Sequence, residues 1–274
     1  MLWMLDEFET IQGGKYPGFI TGKPIEMGGS LGRTEATGFG TIYVLREALK
    51  DLGIKPENTS MSIQGFGNVS QYAARKYMEL GGKIVSVSCW DNADKTAYTY
   101  FKKDGLDADM LAGITDTFGC INKAGACDNG CQVLPGNAWI EQDVDILMPA
   151  AMENQITSAN VGKISDRVKV LLEGANGPTA FAADEMIKAK DIFLLPDFLT
   201  NAGGVTCSYF EQVQSNMNYY WSKDEVLERL DTKMTAAYKA VREIARKKNL
   251  YMRDAAYVIA VNRVAQAVKM RGWV

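Results

Sequence analysis

The 274-residue chain contains no histidine. That absence removes Ser-His-Asp and Cys-His nucleophiles, the histidine proton shuttle and His-ligated zinc from the chemistry these residues can supply. Neither sign of charge is in surplus: 30 Lys and Arg stand against 33 Asp and Glu. Nucleic acid is therefore not the expected partner, because neutralising phosphates needs a basic excess. No apolar run reaches the roughly 18 residues that cross a bilayer, so no membrane association is expected. The N-terminal MLWMLDEFETIQ is acidic and lacks the basic region of a secretion signal. Cysteine is sparse and odd in number, at five. That argues against a disulfide framework and for a reducing compartment, the cytoplasm. Cys120, Cys127 and Cys131 share the loop GCINKAGACDNGC and, with Asp128, would make four ligand groups. The spacing matches no common zinc pattern, so no metal is expected and three free thiols is the simpler reading.

What is present is enough apolar material, 47% of residues, to bury a core. Residues 1–12 read as a short helix with Leu2, Leu5 and Phe8 on one face, stopped by Gly13 and Gly14. Residues 13–34 are glycine-rich and irregular. Thr34 or Glu35 opens a helix that runs to about Gly53, its C-cap. From residue 60 the pattern alternates: SMSIQGF reads as a strand, NVSQYAARKYMELGG as a helix and KIVSVSCW as a strand. Further strand-like runs lie at 144–149, 168–173 and 192–196, with helix-like stretches between them. Short apolar strands alternating with helices imply a doubly wound α/β fold, a mostly parallel sheet with helices on both faces. From about residue 202 the spacing is helical, over 202–218, 223–248 and 252–271. Val226, Leu230, Met234, Ala237, Val241 and Ile244 mark one such stripe. There is no internal repeat and no linker.

Between the first strand and its helix lies Gly65-Phe66-Gly67-Asn68-Val69-Ser70, or G-x-G-x-x-S. This is one residue off the dinucleotide fingerprint. Gly65 would permit the tight turn, Gly67 would let backbone approach a diphosphate, and small Ser70 would let helix pack on strand. The diphosphate would rest on N–H groups at the helix start, around Asn68 and Val69, where the dipole favours negative charge. The alternative is a tight turn with no ligand. A ribose-binding acid belongs about 20 residues onward. Cys89 occupies the expected strand end, and Asp91 is the nearest acid. Asp91 would grip the ribose diol, or it is simply a turn residue in DNAD. Lys95 nearby would favour a 2′-phosphate, so NAD and NADP both remain open, with a slight lean to NAD.

Longer segments sharpen the reading. In order along the chain stand TGKPIEMGGSLGRTEATGFG (21–40), GFGNVSQYAA, PAAMEN, EGANGPTA (173–180), PDFLTNAGGV (196–205) and a terminal RGW. Together they resemble the glutamate dehydrogenases over the whole chain. GGSLGRTEATG is nearer to the glutamate enzymes than to the leucine, valine or phenylalanine dehydrogenases. The resemblance implies a Rossmann-like NAD(P)-binding domain at 35–204, a helix and lead-in at 1–34, and C-terminal helices at 205–274. It implies oxidative deamination of L-glutamate to 2-oxoglutarate and ammonia, by hydride transfer to the nicotinamide. It places Arg33 and Thr37 near the nicotinamide carboxamide and Asn176 near the nicotinamide ribose. Asn201, Gly203 and Gly204 would run beneath the ring. Val205 and Ser208 would touch the amino-acid side chain. Ala150 and Asn154 match the family's fourth-strand end, facing the coenzyme. Each has a structural alternative: Thr37 as a helix cap, Arg33 in a surface ion pair, Asn176 as a turn former, the glycines as helix packing, and Ser208 bonded back to a carbonyl.

The sequence departs from the family in one respect. The substrate domain, with its lysines and catalytic aspartate, precedes the segment matched here and is not in these residues. MLWMLDEF matches an internal helix. The expectation is a truncated chain or partial reading frame that binds dinucleotide and turns over glutamate poorly or not at all, with no catalytic residue of its own. Lys15, Lys23 and Asp197 are the tempting substitutes, and for Lys23 a loop role is the simpler reading. Residues 1–12 and the last helices should expose apolar faces. Family enzymes are homo-hexamers, which need not hold for this piece. The competing readings are a non-catalytic dinucleotide-binding or regulatory module and another Rossmann enzyme. A hydroxy-acid dehydrogenase would want a histidine.

Overall fold

Strand residues alternate between two faces, and here each face has its own apolar layer to bury. The computed structural model describes residues 1–273. Seven strands form one sheet: β1 (Ser60–Gln64), β2 (Lys83–Asp91), β3 (Thr96–Phe101), β4 (Gln132–Pro135), β5 (Ile146–Pro149), β6 (Val170–Leu172) and β7 (Phe193–Leu195). Their order is β4-β3-β2-β1-β5-β6-β7. β1 is parallel to β2 on one side and to β5 on the other, and β6 and β7 continue parallel. The antiparallel additions β3 and β4 have no counterpart in the sequence expectation. β3, TAYTYF, mixes Thr with aromatics rather than forming an aliphatic run, which is how an antiparallel strand near the sheet edge reads. The helices are α1 (Leu2–Gln12), α2 (Ala36–Leu52), α3 (Asn68–Glu79), α4 (Ala108–Gly113), α5 (Lys123–Asp128), α6 (Phe181–Ala189), α7 (Asp197–Thr200), α8 (Gly203–Met217), α9 (Lys223–Lys248) and α10 (Met252–Met270).

On one face Met61, Ile63, Ile146, Met148, Val170 and Leu172 share a buried cluster with residues of α2, α3, α8 and α9. On the other, Val85, Leu147, Leu171 and Leu194 meet Trp139, Ile156, Val161 and Ile187. A serine pair interrupts this second layer. Ser62 Oγ and Ser86 Oγ lie 2.6 Å apart, and Ser62 donates to the Trp139 carbonyl at 2.8 Å. The pairing satisfies hydroxyls that would otherwise be costly to bury.

α9 begins with a capping box between Ser222 and Glu225. Its buried stripe holds Val226, Leu230, Met234 and Val241 as expected, but Tyr238 and Ala245 take inner positions where Ala237 and Ile244 were expected. Ala237 and Ile244 pack half-buried at the edge. The expected exposure at the chain ends is present. In α1 only Leu5 is buried while Trp3, Met4 and Ile11 are exposed. In α10 Tyr257, Val261, Val264 and Met270 are exposed.

Two buried ionic contacts lock the outer segments to the sheet layers. Lys23 Nζ lies 2.9 Å from Glu211 Oε1, with both side chains at most 1% exposed. Lys23 also donates to the Ile20 carbonyl at 2.7 Å, and the backbone N–H groups of Gly22 and Lys23 donate to the same carboxylate. The glycine-rich lead-in is thereby clipped to α8. Lys23 is thus committed to structure. Lys15 instead stands in solvent, paired with Glu9 on the surface and away from the cleft. The second contact joins Arg253 of α10 to Glu173 at 2.8 and 2.9 Å and to Asp184 at 2.9 Å.

Lys23→Ala would strand the Glu211 carboxylate in the interior. It should lower unfolding free energy by about 3–5 kcal/mol, read by urea denaturation. The carboxyls also predict an acid limit. Burial alone would raise Asp231, but hydrogen bonds from Arg46 and Thr235 outweigh it and hold the group below the usual carboxylate range; Asp145 behaves alike through Arg167 and Ser60. Each binds its proton less tightly folded than unfolded. Its stabilisation is therefore full above the unfolded value of 3.8 and lost as pH falls through the lower folded value. Thermal midpoints should hold from pH 7 to about 5 and fall below about pH 4.

Candidate functional site

The strand order places β2 and β5 on opposite sides of β1, so the segments leaving β1 and β5 diverge at their carboxyl ends. A crevice opens where they part. Gly65 follows β1 directly, at φ +88°, and a Cβ there would lie 2.9 Å from the Ala151 Cα. Glycine is required on both counts. A Cβ on Gly67, by contrast, would meet nothing within 4 Å. Gly67 is the N-cap of α3, which has no side-chain cap, so the first N–H groups of the helix remain free for an anion. Ser70 is fully buried on α3, and its hydroxyl has no hydrogen-bond partner among the described residues. This is the close helix–strand packing that a small residue allows.

Two cavities adjoin at this edge. The first, about 410 Å³, is lined by Gln64, Gly65, Phe66 and Gly67, by Ser88, Cys89 and Trp90 of β2 with Asn92 just past it, and by Phe118 and Gly119. The second, about 830 Å³, is lined by Arg33, Thr37, Val69, Asn176, Asn201, Gly204, Val205 and Ser208. Ala150, Ala151 and Met152 line both. Most of the residues that the sequence singled out thus fall along one continuous cleft. Within it, Arg33 Nε donates to Ser208 Oγ at 3.1 Å, so Arg33 reaches across to α8 and Ser208 accepts it. Asn201 Nδ2 donates to Asn176 Oδ1 at 2.7 Å. The cap of α2 is Glu35, which frees Thr37 for the cleft.

Close backbone contact brings these groups together. Gly203 at the start of α8 sits against α2, where an added Cβ would lie 2.1 Å from the Ala36 carbonyl oxygen. One on Gly204 would lie 2.5 Å from Thr37 Oγ1. Beneath, Asp197 Oδ2 accepts the Gly177 N–H at 2.8 Å, while Glu173 Oε2 accepts the Asp197 N–H at 3.0 Å. Asp197 therefore shapes the 173–177 loop.

Three expectations differ in the structure. Asp91 does not line the cleft: it is buried, and its Oδ1 accepts the N–H groups of Ala93 and Asp94 at 2.8 and 2.9 Å. That oxygen is engaged by the β2–β3 turn, the alternative that DNAD composition offered. Asn68 lies outside both cavities and donates to the Thr34 carbonyl at 2.8 Å. Asn154, at φ +52°, donates its N–H to the Gly177 carbonyl at 2.8 Å and lines neither cavity. Sequence reasoning also missed the 116–121 loop. A Cβ on Gly119 would lie 3.2 Å from the Phe66 carbonyl oxygen, so this loop leans on the glycine turn and walls the first cavity. The sequence marked only its end, where GCINKAGACDNGC begins and Cys120 reads as one of three free thiols. All five cysteines are free, and burial pushes the Cys89 thiol up to about 11.

The residues suit a dinucleotide. Gly67 leaves backbone open, α3 presents unpaired N–H groups, and Gln64 at the cavity wall has a buried Oε1 without a partner. Fold and cleft together define a dinucleotide-binding domain of the doubly wound class. The chain belongs to the Glutamate/Leucine/Phenylalanine/Valine dehydrogenase family, whose sequence model matches residues 28–272. It is 42% identical over 274 residues to the NAD-specific glutamate dehydrogenase of Clostridioides difficile, covering 100% of this chain and 63% of that protein. Among solved structures it is similar to glutamate dehydrogenase from Peptoniphilus asaccharolyticus, with TM-score 0.82 and 36% identity over 99% of this chain and 62% of that one. It is also similar to the hetero-hexameric glutamate dehydrogenase of Thermus thermophilus, with TM-score 0.86 and 26% identity over 98% and 61%. The chain thus spans about three fifths of the relatives it matches.

The α2–α8 contact gives a direct test. Gly203→Ala must push the helices apart and should cost about 1–3 kcal/mol. Gly67→Ala adds a methyl in open space and should shift the thermal midpoint little.

Proposed function

We propose that these residues are the coenzyme-holding part of an NAD-dependent glutamate dehydrogenase, which interconverts L-glutamate with 2-oxoglutarate and ammonia. The observation that carries this is the paired cavity. A glycine turn at one end suits the diphosphate and adenosine. Arg33, Thr37, Asn176, Asn201, Val205 and Ser208 converge at the other. The name of the Clostridioides difficile relative favours NAD over NADP. NAD, when bound, supplies the hydride-accepting ring.

The chain's own part is binding and orientation. The uncapped start of α3, with Gly65, Gly67 and Val69, holds the diphosphate. Thr37 and Arg33 fix the carboxamide and so decide which ring face meets substrate. Asn176 meets the nicotinamide ribose, and Asn201, which donates to it, runs beneath the ring. Val205 and Ser208 lie toward the substrate side chain, and Ala150 floors the cleft.

Proton handling is not among these tasks. The charged residues lining the second cavity are Arg33 and Glu153, and neither is a lysine suited to hydrolysing an imine. The same fact favours a second reading, a dinucleotide-binding or regulatory module without turnover. On the primary reading, the lysines and aspartate come from a further domain of the whole protein. That domain would cover the exposed faces of α1 and α10. We divide the chain accordingly into a lead-in (1–34), a coenzyme domain (35–204) and returning helices (205–274). Among the described residues no helix is long and apolar enough to cross a membrane. Five unpaired thiols support a cytoplasmic setting. For the whole protein we propose a homo-hexamer.

Titration of the chain with NADH, followed by nicotinamide fluorescence, should show saturable binding. Gly67→Val should abolish it while leaving the thermal midpoint near that of the parent, because the branched side chain enters the diphosphate path. Binding unchanged by that variant would sink the diphosphate seat. The chain alone should show little or no NAD-dependent deamination of glutamate. Robust turnover would mean that it carries its own proton-handling groups.

A further inference from the structure

The adenosine end of the cleft has an unusual lining. None of the side chains around the first cavity is charged: Ser88, Cys89, Trp90 and Asn92 stand where β2 ends, and Gln64 and Phe118 complete the wall. Fingerprint logic asks for an acid at that strand end, to accept hydrogen bonds from the ribose diol. Cys89, the first residue of β2 past its pairing with β1, takes the place beside the glycine turn, 5% exposed and accepting the Ile121 N–H at 3.4 Å, while the acid at the strand's last position, Asp91, faces its own turn. A buried thiol whose proton leaves only near pH 11 is neutral in any ordinary buffer.

Acids do stand nearby, but each is committed elsewhere. Asp91 accepts two backbone N–H groups in its turn. Asp94 accepts the Tyr98 hydroxyl at 2.7 Å and pairs with Lys123 at 3.3 Å. Asp116 Oδ1 accepts the N–H groups of Phe118 and Cys120 at 2.8 and 2.9 Å. Meanwhile two aromatic rings on the cavity rim face solvent, Trp90 at 55% and Phe118 at 83% exposed. Exposed rings beside an uncharged cavity are an apolar surface that a purine would cover.

We propose that this chain reads the coenzyme's adenosine through neutral and aromatic groups, with no ionised side chain in contact with the ribose. The inference rests on the coenzyme reading above. Preference for a 2′-hydroxyl over a 2′-phosphate then has two sources. No cation lines the cavity to compensate the phosphate, Lys95 included, and Asp91, Asp94 and Asp116 repel it through space without touching the sugar. Asp91 is a turn residue, and Asn92, exposed on the cavity wall, is the position that sets selectivity.

Two variants of the chain, titrated separately with NADH and NADPH, decide the matter. In Asp91→Asn the amide oxygen can still accept both turn N–H groups, so the fold should survive. NADH affinity should change by less than about threefold, whereas losing a charged hydrogen bond to the ribose would cost about ten- to a hundredfold. NADPH should tighten severalfold, since one repelling charge is gone. Asn92→Arg should tighten NADPH about tenfold or more and leave NADH nearly unchanged, because the new guanidinium reaches a phosphate that only NADPH carries. A large loss of NADH binding in Asp91→Asn, or an unmoved NADPH affinity in Asn92→Arg, overturns the inference while leaving the coenzyme reading intact. Failure of the unmodified chain to bind NADH removes both.

Discussion

A strand can have only two neighbours, and β1 uses its two for segments that leave the sheet in opposite directions. β2 follows it through α3 on one side, and β5 arrives on the other after the antiparallel additions. The backbone seals the floor of the resulting crevice: the Gly65 N–H donates to the Ser88 carbonyl at 2.6 Å and the Ala150 N–H to the Gln64 carbonyl at 2.8 Å. Ala151 then presses so close to Gly65 that no side chain fits between them. Everything the cleft does depends on this junction, because it fixes where α3 starts relative to the 150–153 segment.

The far half of the cleft is assembled by a different kind of contact. Arg253 reaches from the last helix to Glu173, which is fully buried, and to Asp184. Burial alone would make the guanidinium easier to deprotonate, but the hydrogen bonds it donates to Glu173 and Asp184 outweigh it and raise its affinity for the proton. Through Glu173 and Asp197 the same cluster sets the 173–177 loop, and hence Asn176. The C-terminal return is therefore part of the site's support even though no residue of α10 lines either cavity.

Much of this was legible in the sequence, for identifiable reasons. Parallel strands buried on both faces announce themselves as apolar runs, and β1, β2, β5, β6 and β7 were all visible in this way. The long helices have caps and periodic stripes, and α8, α9 and α10 begin or end within a residue or two of expectation. β3 and β4 were not visible, since an antiparallel edge needs no apolar run and Thr96–Phe101 has none. At the site, the segments carrying family resemblance placed Arg33, Thr37, Asn176, Asn201, Val205 and Ser208 in one cavity. Counting along the chain did worse: an offset of about 20 residues led to Asp91, and only three-dimensional hydrogen bonding reveals that its oxygen is occupied. The contribution of Phe118 and Gly119 was equally hidden, because a loop's contacts depend on where its ends are anchored.

The clasp between Lys23 and Glu211 bears on how the cleft can move. Arg33 and Thr37 follow directly from the clipped lead-in, while Val205 and Ser208 ride on the helix that clips it. With α2 and α8 also in backbone contact at Gly40 and Gly203, these four side chains travel as one jaw. The opposing jaw is the 150–153 segment and the 174–177 loop. A change in the width of the cleft would therefore have to be made between sheet edge and helices, at the cost of the Asn201–Asn176 hydrogen bond, rather than within the helical wall.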